Sequence, residues 1–320
     1  MRIVTKDFGG QVMITGYLHE MDEELPNIKE YPSILILPGG GFRICSSKEA
    51  EPVAMEYFAA GYQAFVLSYT TVTKKPDATF DDPMNDVAQA FGWLAENKQH
   101  FLMADGKLAL LGFSGGGHLA AAYSTRADIR PDALILIYPG IVSSAHRALN
   151  CPDIPEKVDK NTPPTFIVGM RDDQVTPPYH QLAFADALQK ADVDYEIHIF
   201  KGGMHGISLG NSYTSAGLSA AVDPDFAQWM QMSKNWLKKQ FGDFMVYGQS
   251  DGAKFSVNTP VGKLLKDEKA KAVLAENFPM ALKAGENPQA KGMPLLSLIR
   301  YMPGDHDDVI EELDKRLKEI

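Results

Sequence analysis

Hydrophobic and polar positions along the chain follow two periods. Gln11 to Leu18 alternates apolar and polar residues, the pattern of an antiparallel edge strand with one wet face. Ser33 to Leu37 is instead a short continuous apolar run bounded by Pro32 and Pro38, which predicts a strand covered on both faces. A helical stretch from Glu49 to Ala60, a strand from Ala64 to Ser68, a helix from Asp82 to Asn97 and a strand from Lys107 to Phe113 follow. A helix after Gly116, a strand Ala133 to Ile137, an irregular stretch Ile141 to Pro164, a strand Thr165 to Gly169, a helix His180 to Lys190 and a strand Tyr195 to Phe200 continue the rhythm. Strands alternating with helices imply crossover connections, hence an α/β fold with a doubly wound, mostly parallel sheet of about eight strands. Phe226, Trp229, Met230, Trp236, Leu237 and Phe241 recur at helix-face spacing, so Asp225 to Phe241 reads as the last helix of this domain, with those side chains in its core.

From Gly248 to Lys254 polar, glycine-containing residues interrupt the pattern, and beyond them it is helical without strands. The expected organisation is a domain over residues 1–245 and a small all-helical appendage over 250–320. Thr259 and Pro260 read as a cap and first-turn pair, Asp267 as the cap of a helix Glu268 to Asn277, and Met293 to Met302 as an apolar helix. Asp307 to Ile320 begins acidic, ends basic and repeats Val309, Ile310, Leu313 and Leu317 on one face. So short a bundle has little core of its own. It is expected to pack on the larger domain, as a partial lid among other roles, or on a second copy of the chain as a homodimer interface.

Composition narrows the partners. Of 320 residues 45% are hydrophobic and 22% charged, enough for a sizeable core, while a net charge of −10 argues against a nucleic-acid partner, whose binding draws on clustered Lys and Arg. Cys45 and Cys151 stand far apart, outside any metal-ligand spacing, so neither a disulfide framework nor a metal site is expected. The first ten residues lack the basic start and apolar run of a secretory signal, and no stretch is long enough to span a bilayer. A cytoplasmic protein with no membrane partner is the expectation.

The candidate chemistry begins at Gly112-Phe113-Ser114-Gly115-Gly116, a G-x-S-x-G element between a buried strand and a helix. In that setting the turn is so tight that side chains two residues either side of Ser114 would collide. The turn exposes the serine hydroxyl and brings the Gly115 amide beside any oxyanion formed there. A serine hydroxyl needs a base, and a base needs an orienting acid. His205 lies in a glycine loop after the strand ending at Phe200, whereas His118, His180, His198, His100, His146 and His306 occupy no comparable context. Asp172 and Asp173 follow the strand ending at Gly169; Asp173 is favoured by its Asp-x-x-x-Pro spacing to Pro177, with Asp172 left as a loop residue. The loop Leu37-Pro38-Gly39-Gly40-Gly41-Phe42 supplies backbone amides, so Gly40 and Gly41 with Gly115 are the expected oxyanion hole, and Phe42 is an expected wall of the substrate cleft. It lacks the endings that would make it a phosphate loop or a dinucleotide fingerprint, and no cofactor is called for.

Together, Leu37 to Phe42, Gly112 to Ala121 and Gly203 to Leu209, with supporting similarity at Glu51 to Ala54 and Gly61-Tyr62, make residues 1 to about 243 resemble the α/β-hydrolase superfamily, near its acetyl-xylan-esterase-like and hormone-sensitive-lipase-like branch. The resemblance implies a serine esterase acting on small acyl esters, acetylated sugars among them. Pro38 stands where lipase-like relatives carry histidine, which favours the carbohydrate-esterase side, and Gly115 stands where alanine is usual. Two further readings stay open on sequence: a peptidase of the same fold, and a non-catalytic module that uses the cleft as a receptor.

Overall fold

The computed structural model describes residues 1–142, 148–244, 246, 253–284 and 286–320. These divide into two compact units, one of residues 1–20 and 30–243, the other of residues 21–29 and 244–320. The chain therefore leaves the first unit between Met21 and Lys29 and returns to it, an excursion with no counterpart in the hydrophobic pattern. Most of the polar interruption expected between the domains lies outside the described residues.

The first unit is built on eight strands: β1 (Arg2–Gly9), β2 (Val12–Leu18), β3 (Tyr31–Leu37), β4 (Gln63–Ser68), β5 (Met103–Phe113), β6 (Ala133–Ile137), β7 (Thr165–Met170) and β8 (Tyr195–Phe200). Their order is β1-β2-β4-β3-β5-β6-β7-β8. The pairs β1/β2 and β2/β4 are antiparallel and every pair from β4 to β8 is parallel. The strand expected at the edge, β2, is covered on its outer side by β1. That strand carries no apolar run, and Ile3 is largely exposed, because an edge strand with little packed against it needs none.

Each central strand divides its side chains between two cores. Leu35 and Leu37 of β3 with Leu134 and Leu136 of β6 face one layer, and Ile34, Ile36, Ile135 and Ile137 face the other. The layers are closed by α1 (Glu51–Phe58), α2 (Asp81–Glu96), α3 (Ser114–Arg126), α4 (Tyr179–Lys190) and α5 (Trp229–Phe241). All five differ from their sequence limits, α2 and α4 by single residues and α5 because a 3-10 turn at Phe226–Gln228 replaces its first turn. A 3-10 turn at Ser47–Glu49 precedes α1 and breaks from it at Ala50, and α3 begins at the serine itself.

The parallel register decides where function can sit. Leu37 pairs with Gly112, Phe113 with Ile137, Ile137 with Val168, and Met170 with Phe200, so the C-terminal ends of β3, β5, β6, β7 and β8 form one row. Loops leaving those ends are neighbours in space although they come from distant parts of the chain.

The second unit contains α6 (Val261–Leu264), α7 (Glu268–Asn277), α8 (Met280–Ala284), α9 (Pro288–Lys291), α10 (Leu295–Arg300) and α11 (Asp307–Lys318) around Val257, Val261, Leu264, Leu274, Leu295, Ile299, Ile310, Leu313 and Leu317. Lys29 pairs with Asp305 at 2.9 Å, attaching the excursion to this bundle. The Thr259 hydroxyl accepts the Ser256 amide at 3.0 Å instead of capping α6, so the expected Thr259-Pro260 cap gives way to a turn of its own. Asp267 does cap α7, its Oδ1 accepting the amides of Lys269 and Ala270 at 3.1 and 3.2 Å. Among the described residues no helix is long and apolar enough to cross a membrane. Asp267→Ala removes the partner of two otherwise orphaned amides, and a loss of about 1 kcal/mol is expected in the chemical denaturation of this unit; an unchanged midpoint would show that the cap contributes nothing.

Candidate active site

The turn from β5 into α3 is held by backbone contact. An added Cβ at Gly116 would sit 2.2 and 2.4 Å from the carbonyl oxygens of Leu37 and Pro38, and one at Gly112 would sit 2.3 Å from the Gly116 carbonyl. Only glycine lets these segments approach so closely. Ser114, between them, takes φ +49°, a left-handed conformation uncommon for a residue with a side chain. Ser114 is also the first residue of α3, so the amides of Ser114 and Gly115 lie in the first turn, where no helical carbonyl is available to them.

His205 comes from the loop after β8 and places Nε2 2.7 Å from Ser114 Oγ. Its other nitrogen, Nδ1, is 2.7 Å from Asp173 Oδ2. Asp173 follows β7 and is buried, and its Oδ1 accepts the amides of Val175 and Thr176 at 2.8 and 2.9 Å. Burial pushes this carboxyl up, but the His205 hydrogen bond and charge and the two amides outweigh it, and the group is held below its ordinary value. Thr176 Oγ1 lies 2.9 Å from Asp173 Oδ2, 3.1 Å from His205 Nδ1 and 3.1 Å from the Tyr138 carbonyl, so it bridges the acid to the end of β6. With the Nδ1 proton donated to Asp173, Nε2 is left to take the hydroxyl proton of Ser114.

The sequence candidates that compete with these go elsewhere. Asp172 is exposed and pairs with Arg171 at 2.8 Å. His118 is buried in α3 with Nδ1 2.6 Å from the Gly140 carbonyl. His180 accepts the amides of Ile141 and Val142 on Nδ1 at 3.1 and 3.2 Å. His198 pairs with Glu196, His306 Nε2 lies 3.1 Å from the Pro303 carbonyl, and His100 lies beside Phe101. His146 lies outside the described residues.

Over the serine runs the glycine loop after β3. Gly40, Gly41 and Phe42 have φ of +127°, +59° and +60°, which turns the loop back on itself. A Cβ at Gly40 would meet the Ile44 carbonyl at 2.3 Å. A Cβ at Gly115 would lie 3.3 Å from Gly41 N and 3.4 Å from Phe42 N, so the loop's amides and the first turn of α3 face one another at close range. The Phe42 ring, expected to line the cleft, is instead fully buried against Tyr69, Phe80 and His118. Its positive φ sends the side chain into the core, so only its backbone belongs to the site.

Sequence reasoning missed Glu49 and Tyr138. Glu49 is buried; Oε2 accepts the Gly39 amide at 2.8 Å and Oε1 accepts the Tyr138 hydroxyl at 2.6 Å. Burial raises its carboxyl above the ordinary range, against the opposing effects of these two donors, His205 and Lys48. The Tyr138 oxygen in turn accepts the Ser208 amide at 2.9 Å, and its ring packs edge-on against His205 with centroids 5.1 Å apart. Tyr138 could have been suspected, since it directly follows a buried parallel strand, where site residues gather. Nothing local marks Glu49.

Comparison with known proteins bears on the family of the chain. The BD-FAE family profile matches residues 21–132 and the profile of the prolyl oligopeptidase family matches residues 144–244. A solved structure of an α/β-hydrolase enzyme from a Medee basin deep-sea metagenome library superposes with a TM-score of 0.70 at 37% identity, covering 75% of this chain and 98% of that one. The chain belongs to the α/β-hydrolase family. Among curated relatives, endo-1,4-beta-xylanase B of Butyrivibrio fibrisolvens is 30% identical over 64% of this chain and 36% of its own length. The acetylxylan esterase of Xylanibacter ruminicola is 25% identical over 67% of this chain and 47% of its own length. The chain thus spans less than half of each of these two proteins.

The depressed Asp173 carboxyl has a consequence for stability. Its folded-state value lies below the unfolded one, so its contribution is present above the unfolded value and is lost as pH falls through the folded one. In melting curves of wild type and Asp173→Asn, the wild-type advantage should therefore shrink between about pH 5 and pH 2. A difference that stays constant across that range would contradict the coupling.

Proposed function

We propose that this chain is a serine carboxylesterase that removes small acyl groups, with Ser114 as nucleophile, His205 as general base and acid, and Asp173 as the group that orients the imidazole. One observation carries the reading: Oγ to Nε2 and Nδ1 to Oδ2 are both 2.7 Å, an unbroken relay that ends on a buried carboxylate. As Ser114 Oγ attacks the ester carbonyl, its proton passes to His205 Nε2, and the imidazolium is stabilised by Asp173. The carbonyl electron pair moves onto oxygen, facing the amides of Gly115 and of the Gly40-Gly41 segment. Collapse of this intermediate expels the alcohol, which takes the proton from His205 and leaves an acyl-serine. Water, deprotonated by the same nitrogen, then releases the acid and restores the serine.

The substrate class we infer is acetyl and other short acyl esters of sugars. Support comes from the acetylxylan esterase and xylanase among the relatives, and from Pro38 at the position where lipase-like enzymes carry histidine. A second reading, peptide-bond hydrolysis, draws on the prolyl oligopeptidase profile over residues 144–244, the part of the chain that contributes Asp173 and His205. Both chemistries use the same relay, so substrate decides between them.

Ser114→Ala is expected to reduce hydrolysis of p-nitrophenyl acetate by at least about 10³-fold, and to abolish labelling by a fluorophosphonate probe. Near wild-type turnover in that variant overturns the nucleophile assignment. In the wild type, turnover should fall along the series acetate, butyrate, octanoate and should extend to acetylated xylo-oligosaccharides. Faster cleavage of short peptidyl nitroanilides than of any ester would favour the peptidase reading.

A further inference from the structure

A carboxylate buried without a cation is costly, and an apolar side chain of similar size would ordinarily serve packing better. Among the described residues no lysine or arginine lies within ion-pair distance of Glu49; its hydrogen-bonding partners are two neutral donors. Both come from segments that form the site. A Cβ on Gly39 would lie 2.7 Å from Glu49 Oε2 and 3.0 Å from Ser114 Cβ, so one residue's backbone separates this carboxylate from the serine. On the other side Tyr138 receives the Ser208 amide, three residues beyond His205, and its carbonyl receives the Thr176 hydroxyl from the acid loop. Ser208 Oγ also donates to the Lys48 carbonyl at 2.5 Å, which ties the histidine loop to the turn bearing Glu49 a second time.

We propose that Glu49 is a positioning residue: by holding the Gly39 amide and the Tyr138 hydroxyl at once, it sets the oxyanion loop against the histidine loop. The inference rests on the esterase reading and adds to it the element that fixes one half of the site relative to the other.

The requirement for a carboxylate follows from the donors. The Tyr138 oxygen accepts the Ser208 amide while its hydroxyl donates to Glu49, and the Gly39 amide can only donate. Two donors converge on one side chain, and only a group that accepts at both ends satisfies them. Glutamine would set an N–H against one donor and release one of the two segments. The alanine that separates the 3-10 turn from α1 allows this aim, because Glu49 is not committed to a helix face.

Glu49→Gln is nearly isosteric and separates a positioning role from simple filling of space. With p-nitrophenyl acetate, kcat should fall about 10- to 100-fold while KM stays within about threefold. Inhibition by phenylboronic acid, whose tetrahedral serine adduct places an oxygen in the hole, should weaken in parallel with kcat. A melting temperature lowered with kcat and boronate affinity unchanged overturns the proposal, as does wild-type behaviour in every measurement. Should Glu49→Gln fail to fold, Tyr138→Phe keeps the ring and removes only the hydroxyl: kcat and boronate affinity are expected to fall together, and unchanged boronate affinity overturns the proposal. Ser114→Ala distinguishes the two levels. If it retains turnover the esterase reading fails, whereas an inactive Ser114→Ala beside a wild-type-like Glu49→Gln overturns the role of Glu49 alone.

Discussion

The site depends first on backbone lying against backbone where β3 and β5 end. Leu37 and Pro38 present their carbonyls to Gly116 at a distance that excludes even a methyl group, and Gly112 meets Gly116 across the turn just as tightly. This contact brings the glycine loop and the first turn of α3 to the same place, and it is why the serine between them has positive φ. Such a conformation persists only where the surroundings over-determine it. Here they do, because Ala109 to Phe113 before the serine and Gly115 to Thr125 after it are all buried. Strain in one residue is thus held by the packing of the strand end and the helix on either side of it, and the hydroxyl is presented without relying on a flexible loop.

Two buried carboxylates then organise the segments around that fixed point, in different ways. Asp173 is ionised easily because His205 and two amides favour its charged form, so it acts on the imidazole directly. Glu49 is placed where burial disfavours its charge and where hydrogen-bond donors from two segments meet. Tyr138 lies between them, taking Ser208 on its oxygen, giving its proton to Glu49 and receiving Thr176 on its carbonyl. Segments that are far apart in sequence are thereby joined through two residues, Glu49 and Tyr138. In a low-dielectric interior such hydrogen bonds are strong when complete and costly when one member is lost, which favours a single geometry over a set of alternatives.

What could be read from the chain follows from how local each signal is. The runs Ser33 to Leu37, Ala133 to Ile137 and Thr165 to Gly169 identified strands because burial on both faces leaves no polar positions in them beyond the first residues Ser33 and Thr165. β1 escaped because an edge strand with half-exposed side chains has no such run. Ser114, Asp173 and His205 could be singled out as candidates because each follows a recognisable strand and is flanked by turn residues with fixed spacing, and the structure brings the three within hydrogen-bonding distance. Phe42 misled: an aromatic side chain next to three glycines suggests a cleft wall, but its backbone conformation, invisible in composition, directs the ring into the core. Tyr138 was legible only as a residue following a buried strand, and Glu49 not at all, because their partners are 10 to 89 positions away and no local pattern encodes such a pairing. The excursion of residues 21–29 into the second unit was hidden for the same reason, since the Lys29 and Asp305 that anchor it are 276 positions apart.

The same division between fixed and variable parts bears on substrate choice. Ser114, His205 and Asp173 are positioned by buried hydrogen bonds and by strand ends, whereas exposed apolar side chains occur close to the site segments in sequence: Ile44 two residues beyond Phe42, Val175 two residues beyond Asp173, and Met204 beside His205. None of these three enters the relay, and each can change size without disturbing a buried hydrogen bond. Loops carried on a rigid scaffold accept such changes readily. On the esterase reading proposed above, acyl and alcohol preference can therefore shift through residues of this kind while the relay stays intact, so proteins sharing the relay need not share a substrate.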